Sequence, residues 1–176
     1  MLDILRQRRS VRKFLDTPVE QEKISQLIEA VLRSPSSRGR NPWEFIVVTE
    51  PMLLKQLGAA KEHGSAFLAE APLAIVVAAD PEKCDVWVED CSIAAIIAQL
   101  TSTALGLASC WAQIRLRSHG QGVSADAYVK SLLGLPSSYM VDCIIGIGYP
   151  AENKPGHSRD SLHDQQVHFN GFGKKA

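Results

Sequence analysis

Residues 88–107 constrain this chain more than any other stretch, because Ile93, Ala94, Ala95, Ile96, Ile97, Ala98, Leu100, Ala104 and Leu105 leave almost no polar face at helical spacing. A helix that is apolar all round must be buried. The chain has 176 residues, enough for one full core and hardly for two. Such a helix can therefore be covered inside one domain, or between two copies of the chain in a homodimer. It is not expected to cross a bilayer: the longest apolar runs, near residues 73–79 and 92–100, are too short or too interrupted by polar residues.

The pattern on either side of that helix predicts alternating helices and strands in a single domain over residues 1–176. Leu2, Ile4 and Leu5 predict a short helix ending at Arg8. Thr17-Pro18-Val19-Glu20 has the form of a capping box, so a helix is expected to start at Pro18, run along the stripe Ile24, Leu27, Ile28 and Val31, and stop before Pro35. Residues 34–42 hold two prolines, a glycine and three serines and read as a loop. Strands are expected at 44–49, 73–79, 109–114 and 140–148, the second apolar on both faces and hence central. Further helices are expected at 51–60 and 124–133, the latter capped by Ser124 and stopped by Gly134. Residues 151–176 are polar and lack a helical stripe, so they are either disordered or lie across something else, such as a partner subunit.

Lys plus Arg equals Asp plus Glu at 19 each, a formal net charge of zero, so no broad field favours nucleic acid or an anionic membrane. Binding must come from local clusters. The densest is Arg8-Arg9-Ser10-Val11-Arg12, whose guanidinium forks match phosphate oxygens two at a time and stay charged at any working pH. Its candidate ligand is a cofactor phosphate; the alternative is the solvated end of a short amphipathic helix. Cys84, Cys91, Cys110 and Cys143 form no CxxC pair and lie in or beside apolar segments, which suits a reducing compartment, by default the cytoplasm. The Arg-rich start is interrupted by Asp3 and Asp16 and has no apolar signal core, so it is read as part of the fold.

Several chemistries are missing. There is no G-x-S-x-G elbow, Walker-type loop or H-E-x-x-H helix. Gly146-Ile147-Gly148 lacks the third glycine of a dinucleotide fingerprint, and His163 and His168 beside Asp164 lack a third metal ligand. Cys110 has no obvious basic neighbour in the sequence to activate it. A chain without its own nucleophile fits an enzyme whose cofactor carries the reactive atoms.

Five segments in order then resemble the nitroreductase family of flavin mononucleotide (FMN) enzymes. Residues 7–14, Gln-Arg-Arg-Ser-Val-Arg-Lys-Phe, are similar to its R-R-S-x-R-x-[FY] motif. Ser34-Pro35-Ser36-Ser37 with Pro42-Trp43-Glu44-Phe45 is similar to its S-P-S-S…P-W-x-F segment. Gly106-Leu107-Ala108-Ser109-Cys110-Trp111 resembles G-L-G-S-C-W, and Leu133-Gly134-Leu135-Pro136 with Gly146-Ile147-Gly148-Tyr149-Pro150 resembles the closing L-G-L-P and G-Y-P elements. Departures are Gly39 for the family's Asn, Asn41 for its Gln, and His157 where a Lys often accompanies the tail arginine. The segment from His63 to Ala66 also lacks the Asn and Lys that some members place near the flavin ring.

The resemblance implies an α+β fold, a mixed sheet flanked by helices, in an intertwined homodimer whose FMN sites lie at the subunit interface and whose tail, residues 151–176, packs on the partner. It implies that Arg8 and Arg159 meet the FMN phosphate, that Arg9 and Ser10 hold phosphate, ribityl or ring-edge atoms, and that Arg12 faces the pyrimidine edge. Pro35, Ser36 and Ser37 would come from the other subunit, and the Gln113 backbone would donate toward flavin N5. The implied activity is hydride transfer from NADH or NADPH through FMN to a small-molecule electron acceptor: a nitroaromatic, a quinone or another conjugated compound. The readings set against it are specialised flavin chemistry such as dehalogenation or flavin fragmentation, a flavin-binding storage or sensing module without turnover, and a plain interaction domain.

Overall fold

The structure, a computed structural model, describes residues 1–175. Its helices are α1 (Leu2–Gln7), α2 (Gln21–Leu32), α3 (Pro51–Gly58), α4 (Trp87–Ala104) and α5 (Ala125–Leu133). Its strands are β1 (Trp43–Val48), β2 (Leu73–Ala79), β3 (Ala108–Gln113), β4 (Ser118–Gly120), β5 (Val123–Ser124) and β6 (Met140–Gly148). Four of them form one sheet in the order β1-β2-β6-β3, each pair antiparallel. The parallel component expected of a mixed sheet is confined, among the described residues, to an isolated bridge from Ser10 to Ser109.

The sheet divides the core in two because successive side chains on a strand point to opposite faces. Ala74, Val76 and Ala78 of β2, with Ile144 of β6, pack on one face against Leu54 and Leu57 of α3 and Val129 of α5. Leu73, Ile75, Val77 and Ala79, with Ile145 and Ile147, pack on the other against Leu27 of α2 and Cys91, Ala94 and Ala95 of α4. All seven residues of β2 are buried, as its two-faced apolar run requires.

Helix α4 answers the question that its sequence raised. One side is buried through Cys91, Ala94, Ala95, Ala98 and Ser102, while Ile93 and Ile96 remain 38% and 37% exposed. A single chain thus covers only part of an all-apolar helix. The segment from 151 to 175 is exposed along most of its length, and Leu162, Val167, Phe169 and Phe172 find no core within their own chain. Ala176 of the expected tail lies outside the described residues.

Most element ends fall within a few residues of expectation. Ser124 Oγ accepts from the Ala127 N–H at 3.1 Å, and Gly134 ends α5 in the left-handed region at φ 69°. The capping box fails: α2 begins at Gln21, with Glu20 rather than Thr17 before it. Val19 is drawn into the core, and the Glu20 carboxylate accepts from the Tyr149 hydroxyl at 2.7 and 2.8 Å instead of turning back to the helix. A β4–β5 hairpin was not anticipated, because its short, polar strands carry no apolar period. All four cysteines are buried and unpaired. No described helix is long and apolar enough to cross a membrane.

The glycines of the Gly146-Ile147-Gly148 run serve close packing. A Cβ at Gly146 would meet Leu68 Cδ2 and Phe67 Cε2 at 2.9 Å, and one at Gly148 would meet Pro72 Cδ at 2.5 Å. Gly148→Ala should therefore destabilise the fold by about 1–3 kcal/mol, as overpacking does. Urea unfolding followed by circular dichroism is the measurement; a midpoint equal to that of the parent would show that the Pro72 turn moves aside without cost.

Candidate active site

The arginine segment leaves α1 at Arg8, whose N–H caps the helix on the Ile4 carbonyl at 2.8 Å, and continues extended. Val11 and Phe14 are its buried anchors, while Arg12 and Lys13 face outward. One flank lies on the edge strand β3: Ser10 bridges Ser109, and the Val11 N–H donates to the Ser109 carbonyl at 3.1 Å. The other flank meets the chain emerging from β6. Leu15 N–H donates to the Tyr149 carbonyl at 2.9 Å, Ala151 N–H donates to the Lys13 carbonyl at 2.8 Å, and the Arg9 guanidinium reaches the Pro155 carbonyl. A Cβ at Gly156 would overlap the Arg6 carbonyl oxygen, so only glycine permits this strap, residues 149–156, to lie so close.

Two residues that sequence reasoning missed tie the strap to the arginines. Glu152 Oε1 accepts from the backbone N–H of Arg12 at 2.7 Å and of Lys13 at 3.3 Å, and from Lys154 Nζ at 2.8 Å. Lys154 Nζ also donates to the Ser10 carbonyl at 3.2 Å. Lys154 and the Arg12 amide hold the Glu152 carboxyl down to about 2, so it is ionised throughout the physiological range. The only signal was a carboxylate and a lysine two residues apart just past the Gly-Tyr-Pro element. No local spacing reports a contact across 140 residues.

Arg8, Arg9, Thr103, Asn153 and Lys154 are among the residues lining a small cavity of about 160 Å³ beside this segment. Among the described residues, neither the Arg8 nor the Arg12 guanidinium has a hydrogen-bond or ion-pair partner. A larger cleft of about 620 Å³ lies elsewhere, between Phe14, Ile24, Leu54 and Pro72. Its charged lining is Asp16 and Glu70, the wrong sign for a phosphate.

Cys110 requires a correction. Its thiol does have basic neighbours in space, Arg12 and Lys154, but burial outweighs them and pushes it above its ordinary value. It is a neutral core thiol rather than a nucleophile. Gln113 lies further along the same strand. Ile114 N–H donates to the Asp142 carbonyl at 3.0 Å, so by the two-residue alternation the Gln113 N–H points away from β6 toward the open edge. Its side chain is already engaged, accepting from Trp111 Nε1 at 2.9 Å and donating to the Asp142 carbonyl at 3.2 Å. The backbone N–H is therefore the group that Gln113 can offer a ligand.

The loop after α2 is built around Ser36. Its Oγ accepts from the Asn41 N–H at 3.0 Å and donates to Asn41 Oδ1 at 2.7 Å, so Asn41 locks the loop. Gly39, at φ 64°, holds a left-handed position that Asn also tolerates, which accounts for the exchange between the two. Ser37 N–H donates to Asp90 Oδ1 at 2.9 Å, pinning the loop with Pro35 to the start of α4. The arginine cavity adjoins Thr103 at the other end of that helix. From residue 90 to 103 is about 20 Å of helix at 1.5 Å per residue. Pro35, Ser36 and Ser37 are thus not brought together with Arg8, Arg9, Ser10 and Arg12 in one chain. Nor does Arg159 line the cavity: its guanidinium is bidentate to Asp164 at 3.0 and 2.8 Å. Among the described residues no His, Cys, Asp or Glu cluster could hold a metal.

The chain matches the family model described as Nitroreductase family over residues 5–149. Its structure superposes on that of an FMN-dependent nitroreductase from Clostridium difficile with a TM-score of 0.96 and 47% identity, covering 98% of this chain and 100% of that one. A protein of Archaeoglobus fulgidus provisionally named NADH dehydrogenase/NAD(P)H nitroreductase is 32% identical over 95% of both chains. A Thermus thermophilus NADH dehydrogenase is 28% identical over 85% of this chain and 87% of its own. With the family's segments matched in order and its fold reproduced end to end, the chain belongs to the nitroreductase family.

Proposed function

We propose that this protein is a homodimeric FMN-dependent oxidoreductase that draws reducing equivalents from NADH or NADPH and delivers them to a nitroaromatic, quinone or other conjugated acceptor. The observation that carries the reading is the pair of unpartnered guanidinium groups, Arg8 and Arg12, held beside an open strand edge with the Gln113 N–H on it. Arg8 is half-buried, and a partly desolvated cation without an anion invites one, while Arg12 is exposed on the same segment. The donor set fits FMN: a phosphate for Arg8 and Arg9, and a ring edge that gains negative charge on reduction for Arg12. The FMN named in the Clostridium difficile relative supports the same choice.

When bound, FMN would supply the chemistry by taking hydride at N5 and passing electrons to the acceptor. The chain's own work is binding and electrostatics. Arg8, Arg9 and Ser10 would hold the phosphate and ribityl end, beside the Lys154–Glu152 ion pair that lines the same cavity without adding net charge. Arg12 would stabilise the reduced ring at its pyrimidine edge, and the Gln113 amide would donate toward N5. Arg159 would reach the phosphate only by giving up Asp164. Pro35, Ser36 and Ser37 would come from a second copy, which the 20 Å span of α4 favours, since within one chain they lie at its far end. The uncovered Ile93 and Ile96 and the exposed apolar residues of the tail favour the same dimer.

Purified protein should be yellow, release FMN on denaturation, bleach with NADH or NADPH under nitrogen, and regain colour with a quinone or nitro compound. Bleaching without reoxidation by either would leave a storage module, and a colourless protein that ignores added FMN would end the flavin reading. Arg8→Ala should weaken FMN by tenfold or more, from the loss of charge-assisted hydrogen bonds to phosphate. Arg12→Ala should lower the flavin midpoint potential. Replacing Ile93 and Ile96 together with Glu should yield a folded monomer by light scattering that no longer retains FMN; a monomer that still binds it tightly would show that one chain suffices.

A further inference from the structure

The strap from Tyr149 to Gly156 presents a charge arrangement that simple attraction does not explain. Glu152 lies among Arg8, Arg9, Arg12, Lys13 and Lys154, yet its carboxylate takes backbone amides and one ammonium and no guanidinium. A carboxylate loose in such company would form a bidentate pair with an arginine, the strongest partner within reach. Here the amides of Arg12 and Lys13 turn toward the strap and share its Oε1 with Lys154 Nζ, which also holds the Ser10 carbonyl. The backbone at Arg12 is thereby fixed from the strap on one flank and from β3 on the other, through the Val11 N–H and the Ser109 carbonyl.

We propose that Glu152 is a positioning residue, which holds the backbone at Arg12 and Lys13 so that the Arg12 guanidinium is presented to the cofactor ring rather than quenched in an ion pair. The proposal rests on the flavin reading above. It makes a prediction opposite in sign to the one that charge alone makes. Removing a negative charge near the ring stabilises the reduced, more anionic flavin and raises its potential. Releasing Arg12 from its place withdraws a positive charge and lowers it.

The test is the FMN midpoint potential of a small set of variants of the intact protein, together with their FMN dissociation constants. Glu152→Gln keeps the accepting oxygen for both amides, so its potential should match or exceed the parent's. Glu152→Ala removes the acceptor and should lower the potential, with FMN held roughly tenfold more weakly. Glu152→Asp keeps the charge and withdraws the oxygen, so it too should lower the potential, where charge alone predicts no change. If Glu152→Ala fails to fold, Glu152→Asp carries the test. In an Arg12→Ala background neither change should lower the potential further.

Potentials at or above the parent's in both Glu152→Ala and Glu152→Asp, with Arg12→Ala still lowering it, would overturn the positioning role and leave the flavin reading intact. A potential indifferent to Arg12→Ala itself would overturn the proposal together with Arg12's assigned place at the ring.

Discussion

Everything in this molecule follows from a strand that cannot tolerate water on either side. All of β2 is buried, so the sheet must be covered twice, by α3 and α5 on one face and by α2 and α4 on the other. That demand brings α4 against the sheet through its small residues, Ala94 and Ala95, which let it approach closely. The helix was apolar all round, however, and the sheet uses only one side. What remains exposed at Ile93 and Ile96 is apolar surface that this chain leaves uncovered. The same helix sets the distance between the serine loop at its start and the arginine cavity at its end.

A second principle governs the charges. A neutral chain with 19 cationic and 19 anionic residues could pair them all on its surface, and several are so paired, as Arg33 with Glu29 and Arg6 with Asp3. The segment from Arg8 to Arg12 departs from this, because its nearest carboxylate is taken up by main-chain amides and a lysine. Cys110 completes the local logic. Two cations lie near it, and burial nonetheless keeps it protonated, so no thiolate neutralises the Arg12 charge.

How far the sequence disclosed this depended on the range of the contact involved. The strands at 73–79 and 140–148 and the capped helix ending at Gly134 were legible because hydrophobic period, Ser124 and a left-handed glycine are local signals. The capping box misled, since Val19 had a place in the core and Glu20 had a tyrosine to bind, and tertiary contacts outweighed a local motif. Arg8 and Arg12 stand out in the sequence as a phosphate-matching cluster, though that pattern leaves a solvated helix end equally open, and Ser36 and Gln113 are named only through family resemblance. Glu152 and Lys154 escaped notice because their partners lie about 140 residues away. Arg159, named by resemblance, is paired with Asp164, a partner five residues away that its spacing alone does not announce.

On the proposed reading, assembly and chemistry are thermodynamically linked rather than merely coexistent. If one half of a cofactor site lies at each end of α4, two antiparallel copies of that helix bring unlike ends together and form two complete sites by one symmetric contact. Cofactor bound across the seam then stabilises the dimer by mass action, and the dimer raises cofactor affinity by the same free energy. The apolar residues left uncovered on α4 supply association without specificity, while the ligand adds the requirement for correct register. A helix that looked wasteful in one chain becomes economical in two, because its length both spans the core and sets the spacing of the paired sites.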